Sequence, residues 1–217
     1  MSVWLEITLH FQLVSGLHIT GERMELWTDK SLVLDWREEK HPVIPATTLK
    51  GWLRDGAERT LRGLGVDTCD SSSATTICGV CPACEVFGSP WQRSPLRFFD
   101  AELTNIPRDV RMSVSLSRHR KTAYEERLFS LEVAWGSIWA AKVQGLFPKS
   151  DKAEQAAALL WASARMGYAI GAARSRGLGW VCLKEFRATV DGKPCEDNKA
   201  LAETLKALTS NPKGGAR

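Results

Sequence analysis

Four cysteines are spaced as metal ligands. The stretch CDSSSATTICGVCPAC puts Cys69, Cys78, Cys81 and Cys84 at successive spacings of nine, three and three. Two overlapping C-x-x-C steps bring three thiolates onto one tight turn, and Cys69 can loop back as a fourth. Four soft ligands with no position left for water suit a structural, tetrahedral zinc ion. An iron–sulfur cluster is the rival, since C-x-x-C-x-x-C also occurs there. Nothing else in the chain suggests electron transfer, so zinc is the expected ion. Cys182 and Cys195 read as a core residue and a surface thiol.

The second kind of chemistry is cationic. GAARSRGLGW at 171–180 sets Arg174 and Arg176 among glycines. Flexible backbone beside guanidinium groups suits a phosphate brought close to the chain. RHRKTAYEER at 118–127 gathers Arg118, His119, Arg120, Lys121 and Arg127. Such a run contacts phosphates or is a solvated hairpin tip. His119 could also act as a general base. Lys50 and Arg54 lie one turn apart at a helix start, where cations oppose the macrodipole unless an anion is bound. Trp27, Trp36 and Tyr124 could stack on bases or pack on a neighbouring subunit. Asp29 has Glu22, Glu25 and Asp35 near it in sequence. On the residues alone it is a solvated loop carboxylate.

These groups need a scaffold. The chain has 217 residues, enough for one large domain with insertions. Its net charge of +4 is too small to argue for nucleic acid without clustering. No apolar run is long enough to span a membrane, and the N-terminal stretch carries Glu6, unlike a signal peptide. A cytoplasmic location is expected, with thiols rather than disulfides.

Val3, Leu5, Ile7, Leu9, Phe11 and Leu13 share one parity, which predicts a half-buried strand. Residues 15–45 read as a long loop. A helix follows, capped by Thr47 or Thr48, with Leu49, Trp52, Leu53, Ala57, Leu61 and Leu64 as its apolar stripe. Residues 66–95 read as an insertion without a core of its own. Strands are expected at Leu96–Leu103, Val110–Ser117 and Leu128–Gln144. An alanine-rich helix is expected from about Asp151 to Met166, and a strand at Trp180–Val190. From about Glu196 the tail should form a short helix and then fray. The order predicts an α+β protein with a ferredoxin-like, split βαβ core of the kind found in RRM-like RNA-binding modules.

Several segments together resemble the RAMP superfamily of CRISPR proteins. HPVIPATTLKGWLR is similar to its IPGSSLKGxLR segment, and CPACEVFGSP to CxxCxLFG. RFFDAEL resembles a strand bearing an Asp-Ala pair, RLFSLEVAWGSIWAA resembles xxExVxxGxxF, and IGAARSRGLGWV resembles the glycine-rich loop. SGLHITG followed by Asp29 and Asp35 looks most like the repeated backbone subunit of type III effector complexes. The resemblance implies one domain over 1–217, with a catalytic loop at 15–45, a zinc-binding insertion at 66–95 and a thumb-like hairpin at 118–127.

It also implies copies stacked in a filament along a guide RNA, beside other effector subunits. Asp29 would support Mg²⁺- or Mn²⁺-dependent cleavage of bound target RNA, and His18 would be an RNA contact in the same loop. Two further readings stay open. One is an RNA-binding subunit with Asp29 inert. The other is a metal-independent guide-processing endonuclease acting through His18 or His119. The chain reads Leu-Trp-Thr before Asp29, where the family segment usually reads Gly-Gly-Ile.

Overall fold

A computed structural model describes residues 2–23, 25–136, 138–195 and 197–209. The chain is a mixed α+β protein built on a central antiparallel sheet. Strand β1 (Val3–Leu13) lies between β7 (Ile138–Phe147) and β8 (Val181–Val190). Two further strands complete the order β3-β7-β1-β8-β9, with β3 at Leu96–Phe98 and β9 at Lys193–Pro194. Helix α1 (Ala46–Gly63) lies in the connection from β1 to β3, and α3 (Ser150–Met166) joins β7 to β8. Each connection crosses one strand, so two βαβ units interleave, as the sequence order implies.

The alternation in β1 decides which face is covered. Its odd-numbered residues from Val3 to Leu13 are buried, while Trp4, Glu6 and Gln12 are exposed. Burying a leucine such as Leu9 stabilises the fold by about 2 kcal/mol. The alanines of α3, among them Ala153, Ala156, Ala157 and Ala164, are buried on that same core. Phe11 stacks on its cross-strand partner Trp139 at 4.7 Å between ring centroids and meets Trp52 of α1 edge-on at 5.4 Å.

A second, two-stranded sheet projects from this body. It is the hairpin of β5 (Arg108–Leu116) and β6 (Ala123–Ala134). The single strand expected over Leu128–Gln144 is thus two. Between them the chain changes sheets at Trp135–Gly136, where Gly136 passes so close to the Leu13 carbonyl that a Cβ would crowd it. The turn of the hairpin is only 117–122. Ser117 N–H donates to Thr122 O at 2.9 Å, and Ser117 Oγ accepts from Arg120 N–H at 3.1 Å. Residues 123–127 of the expected connection belong to β6.

Other expectations change in detail. Neither threonine caps α1: Pro45 is the cap residue, and Asp100 Oδ1, far along the chain, accepts from Ala46 N–H at 2.7 Å. Residues 15–45 are bridged at Thr20–Leu32 and Leu34–Pro42, and Leu17 and Leu32 are buried. The 66–95 segment has no separate core. It carries α2 (Pro82–Phe87), whose Ala83, Val86 and Phe87 join the main core. The two remaining cysteines exchange roles, with Cys182 exposed and Cys195 half-buried against the core. A C-terminal helix, α4, spans Asn198–Thr209, and the expected fraying beyond it lies outside the described residues. Among the described residues, no helix is long and apolar enough to cross a membrane.

Candidate functional site

Three segments meet along β6. The 15–35 segment runs beside its free edge, with Lys30 N–H donating to Ser130 O at 3.2 Å and Glu132 N–H donating to Lys30 O at 2.9 Å. This places Asp29 at Ser130. The Asp29 Oδ2 accepts from Ser130 N–H at 2.7 Å and from Ser130 Oγ at 3.1 Å, while Asp29 N–H donates to the same Oγ at 3.0 Å. These bonds hold the Asp29 carboxyl below the usual carboxylate range. The side chain stays exposed. The result is an ionised carboxylate fixed at the base of a projecting hairpin.

Asp35 does different work. It is buried and accepts backbone N–H groups of His41, Glu38 and Lys40, which hold its pKa at about 2. It ties a turn within the loop and is no partner to Asp29.

His18 is 1% exposed. Its Nδ1–H donates to Glu132 O at 2.6 Å, and its Nε2 accepts from the Thr20 hydroxyl at 3.0 Å. Burial lowers its pKa, so the ring is neutral at pH 7. Both ring nitrogens of His18 are thus occupied inside the protein. Glu132 is the hub of this base. Its carboxylate accepts from Leu32 N–H at 2.9 Å and pairs with Arg108 at 3.2 Å.

The glycine-rich segment docks beside His18. Ala172 N–H donates to His18 O at 2.8 Å, and Gly179 N–H donates to Gly16 O at 2.7 Å. Leu178 is buried with Leu131 and Val133 of β6. A Cβ on Gly171 would strike the His18 carbonyl, and one on Gly179 would strike that of Ile170. Both glycines have positive φ. These two glycines therefore let the chain approach its own backbone, and not a ligand's. Gly177, also at positive φ, is open to its surroundings. Arg174 and Arg176 form one exposed 3₁₀ turn. Neither makes a side-chain hydrogen bond or ion pair among the described residues.

Arg118, His119, Arg120 and Lys121 form the exposed tip of the hairpin, also with no such partner among the described residues. Arg127 lies over the Tyr124 ring at 5.3 Å. The hairpin also exposes Met112, Val114, Leu116 and Leu128. Trp27 and Trp36 are exposed on the loop below.

On α1 the two expected cations separate. Arg54 is engaged throughout: Nε donates to Glu58 Oε1 at 2.9 Å, Nη1 to Gly88 O at 2.9 Å and Nη2 to Cys84 Sγ at 3.5 Å. It is a structural clamp rather than a free phosphate ligand. The Lys50 side chain makes no hydrogen bond or ion pair among the described residues. Burial and the nearby Arg54 charge lower its pKa. It lines a cavity of about 370 Å³ together with Arg54, Arg93 and Ser89.

The four predicted cysteines come together, with all four sulfur atoms within 4.8 Å of one another. Cys69 Sγ lies 3.6 Å from Cys81 Sγ and 3.4 Å from Cys84 Sγ. Tetrahedral zinc with Zn–S bonds of about 2.3 Å puts its sulfurs ~3.8 Å apart, so the set fits one ion. A polynuclear cluster needs thiolates splayed around several irons. Burial pushes the Cys81 and Cys84 thiols up. Burial also raises Cys78, but backbone N–H groups of Val80 and Cys81 outweigh it and bring that thiol to about 7. Among the described residues, no other group of three or more His, Cys, Asp or Glu side chains is placed to hold a metal.

Sequence reasoning missed Ser130, Glu132 and Glu58. Ser130 and Glu132 are polar residues within an apolar run, a signal that could have found them, whereas Glu58 sits between Arg54 and Arg62 at helical spacing and reads as a solvated face. In comparisons with known proteins, the RAMP superfamily model matches residues 11–182. No curated protein matches the chain significantly.

Proposed function

The chain belongs to the RAMP superfamily of CRISPR-associated proteins, and on that premise we propose that it is the guide-RNA-binding backbone subunit of a type III effector complex. In this reading the whole chain is one RAMP-type domain with a ferredoxin-like core. Copies stack along the guide beside other effector subunits, and target RNA pairs with the guide. Phosphates are gripped by Arg118, His119, Arg120 and Lys121 at the hairpin tip, by Arg174 and Arg176 on the glycine loop, and by Lys50 on α1. His18 and Arg54 support those surfaces from inside. Contacts of this kind go to the backbone and to shape, so any guide sequence is accepted.

The observation that carries the catalytic part is the fixed, ionised Asp29. Ser130 occupies its Oδ2, and the exposed side chain projects where the hairpin leaves the body. A hard divalent ion, Mg²⁺ or Mn²⁺, takes oxygen ligands, and one carboxylate is a thin site without the RNA's own phosphates. Activity therefore belongs to the assembled complex. Asp29 would hold the ion at the scissile phosphate, and the ribose 2′-hydroxyl would attack in line, losing its proton to water and expelling the protonated 5′-oxygen of the next nucleotide to leave a 2′,3′-cyclic phosphate. The protein contributes position and charge.

The Ser130 bonds also favour a second reading, in which Asp29 is a loop anchor and the subunit only binds. Asp29→Asn separates the two, because it keeps an oxygen acceptor for Ser130 while removing the charge. In a complex reconstituted with guide RNA, complementary RNA and Mn²⁺, the catalytic reading expects cleavage to fall by at least ~100-fold with RNA binding retained. Undiminished cleavage by that variant overturns it. Cleavage that ignores EDTA and needs His119 would establish the metal-independent processing reading instead.

A further inference from the structure

The Arg54 clamp belongs to a network that reaches both halves of the cysteine cluster. Glu58 is 3% exposed and pairs with Arg54 and Arg62. It accepts from Arg54 Nε at 2.9 Å, from Ser71 Oγ at 3.0 Å and from Arg62 Nη2 at 3.4 Å. Arg62 Nη2 also donates to Cys69 O at 3.2 Å. One side of the network therefore holds the 69–71 segment. The other side, through Arg54, holds Gly88 O and Cys84 Sγ.

A buried carboxylate is costly unless its partners are complete. Here two guanidiniums and a hydroxyl complete it, and each of the three also fixes or belongs to a cysteine-bearing segment. A four-thiolate zinc centre would carry net negative charge, and the Arg54 guanidinium donates to one of its sulfurs. Charge-assisted donors at a ligating sulfur hold it in place and tune the metal. Arg54 also walls the cavity lined by Lys50, whose side chain has no partner among the described residues, and the loop it grips at Gly88 continues through Ser89 and Arg93 along that same wall.

We infer that Arg54, held in place by Glu58, is an outer-sphere positioning residue of the cysteine metal centre, and that through it metal occupancy sets the shape of the Lys50 anion pocket. The inference rests on the readings that the four cysteines hold zinc and that Lys50 takes an anion. It assigns to α1 a task that its surface charges do not suggest. One helical turn carries both the free cation and the group that ties this cation's pocket to the metal.

The test uses the full chain loaded with Co²⁺ in place of Zn²⁺, because thiolate-to-cobalt charge transfer reports the electron density on sulfur. Arg54→Lys keeps the charge and the bond to Glu58 but cannot reach Gly88 O and Cys84 Sγ together. Arg54→Met removes all three donors. Arg59→Met, whose parent pairs with Asp55 on the exposed face, is the control.

Both Arg54 variants should shift the charge-transfer band and release zinc to a chelator about tenfold faster or more, as losing a hydrogen bond to a metal ligand typically does. The control should match the wild type. Inorganic phosphate should protect Lys50 from amine-reactive labelling in the metal-loaded wild type, and less so in Arg54→Lys. An unshifted band together with unchanged zinc release in Arg54→Lys overturns the inference, whether or not Arg54→Met folds. Metal-independent labelling of Lys50 overturns its second half. A wild type that binds neither Co²⁺ nor Zn²⁺ overturns the metal reading and this inference together.

Discussion

The cations around the cysteine cluster and the cations of the hairpin and glycine loop live in opposite surroundings. Arg54 and Arg62 each have several partners, converging on a buried glutamate. Arg118, Arg120, Lys121, Arg174 and Arg176 are exposed with no side-chain partner among the described residues. A cation with its bonds complete stabilises its own fold, and removing it leaves a charge stranded. A cation without partners adds little to stability and is available to an external anion. The difference separates framework from what we propose is the RNA grip, and it moves Arg54 to the framework despite its place in a basic helix.

That contrast can be broken in four ways. The largest effect is expected from stripping metal. Chelation should lower the unfolding midpoint by about 10 °C, since metal binding to such a site is folding free energy. Hydrogen exchange should rise over 66–95 and α1 while β5–β6 keeps its protection. Equal loosening of the hairpin would erase the distinction.

Gly179→Ala comes next. The glycine has φ of +73° and no room for a Cβ beside the Ile170 carbonyl. Denaturant titration should find a loss of about 3 kcal/mol. A neutral result would mean that the glycine loop is not held against its own backbone as described.

Replacing Arg118, Arg120 and Lys121 by alanine should change stability by no more than ~0.5 kcal/mol. Guide-RNA affinity should fall about tenfold, and the slope of log affinity against log salt should shrink by about 2, at roughly 0.7 per lost contact. The corresponding Arg54 variant should do the reverse, costing stability first.

The smallest effect concerns Asp35. Its folded pKa of about 2 lies below the ordinary value of about 3.9. The stability it contributes is therefore complete above that ordinary value and lost as pH falls toward 2. The gap in stability between wild type and Asp35→Asn should hold constant above about pH 5 and close across that lower window.

Much of this was legible in the sequence because periodicity and spacing are local. Alternation over Val3–Leu13 predicted the half-buried central strand, and the nine-three-three cysteine spacing predicted thiols that do converge. What was not legible depends on residues distant in the chain. Asp100 caps α1 from 54 positions away, so no local rule could replace the expected threonine. Asp29 is fixed by Ser130, 101 positions on, and His18 by Glu132, 114 positions on. The glycines of the 171–179 loop read as backbone open to a phosphate, but Gly171 and Gly179 approach something else. The nearest atoms prove to be the chain's own carbonyls. The break at Trp135–Gly136 was hidden because both flanking segments read equally well as strand.

The most direct test of the division between framework and grip is to map where a photoreactive guide RNA crosslinks to the chain within its assembled complex. The account predicts crosslinks at the hairpin tip over 118–127, at the glycine loop over 171–179 and beside Asp29, with none at the Glu58 network. Crosslinks confined to the cysteine-bearing segment or to the exposed face of the central sheet, leaving the hairpin and glycine loop unmarked, would contradict it.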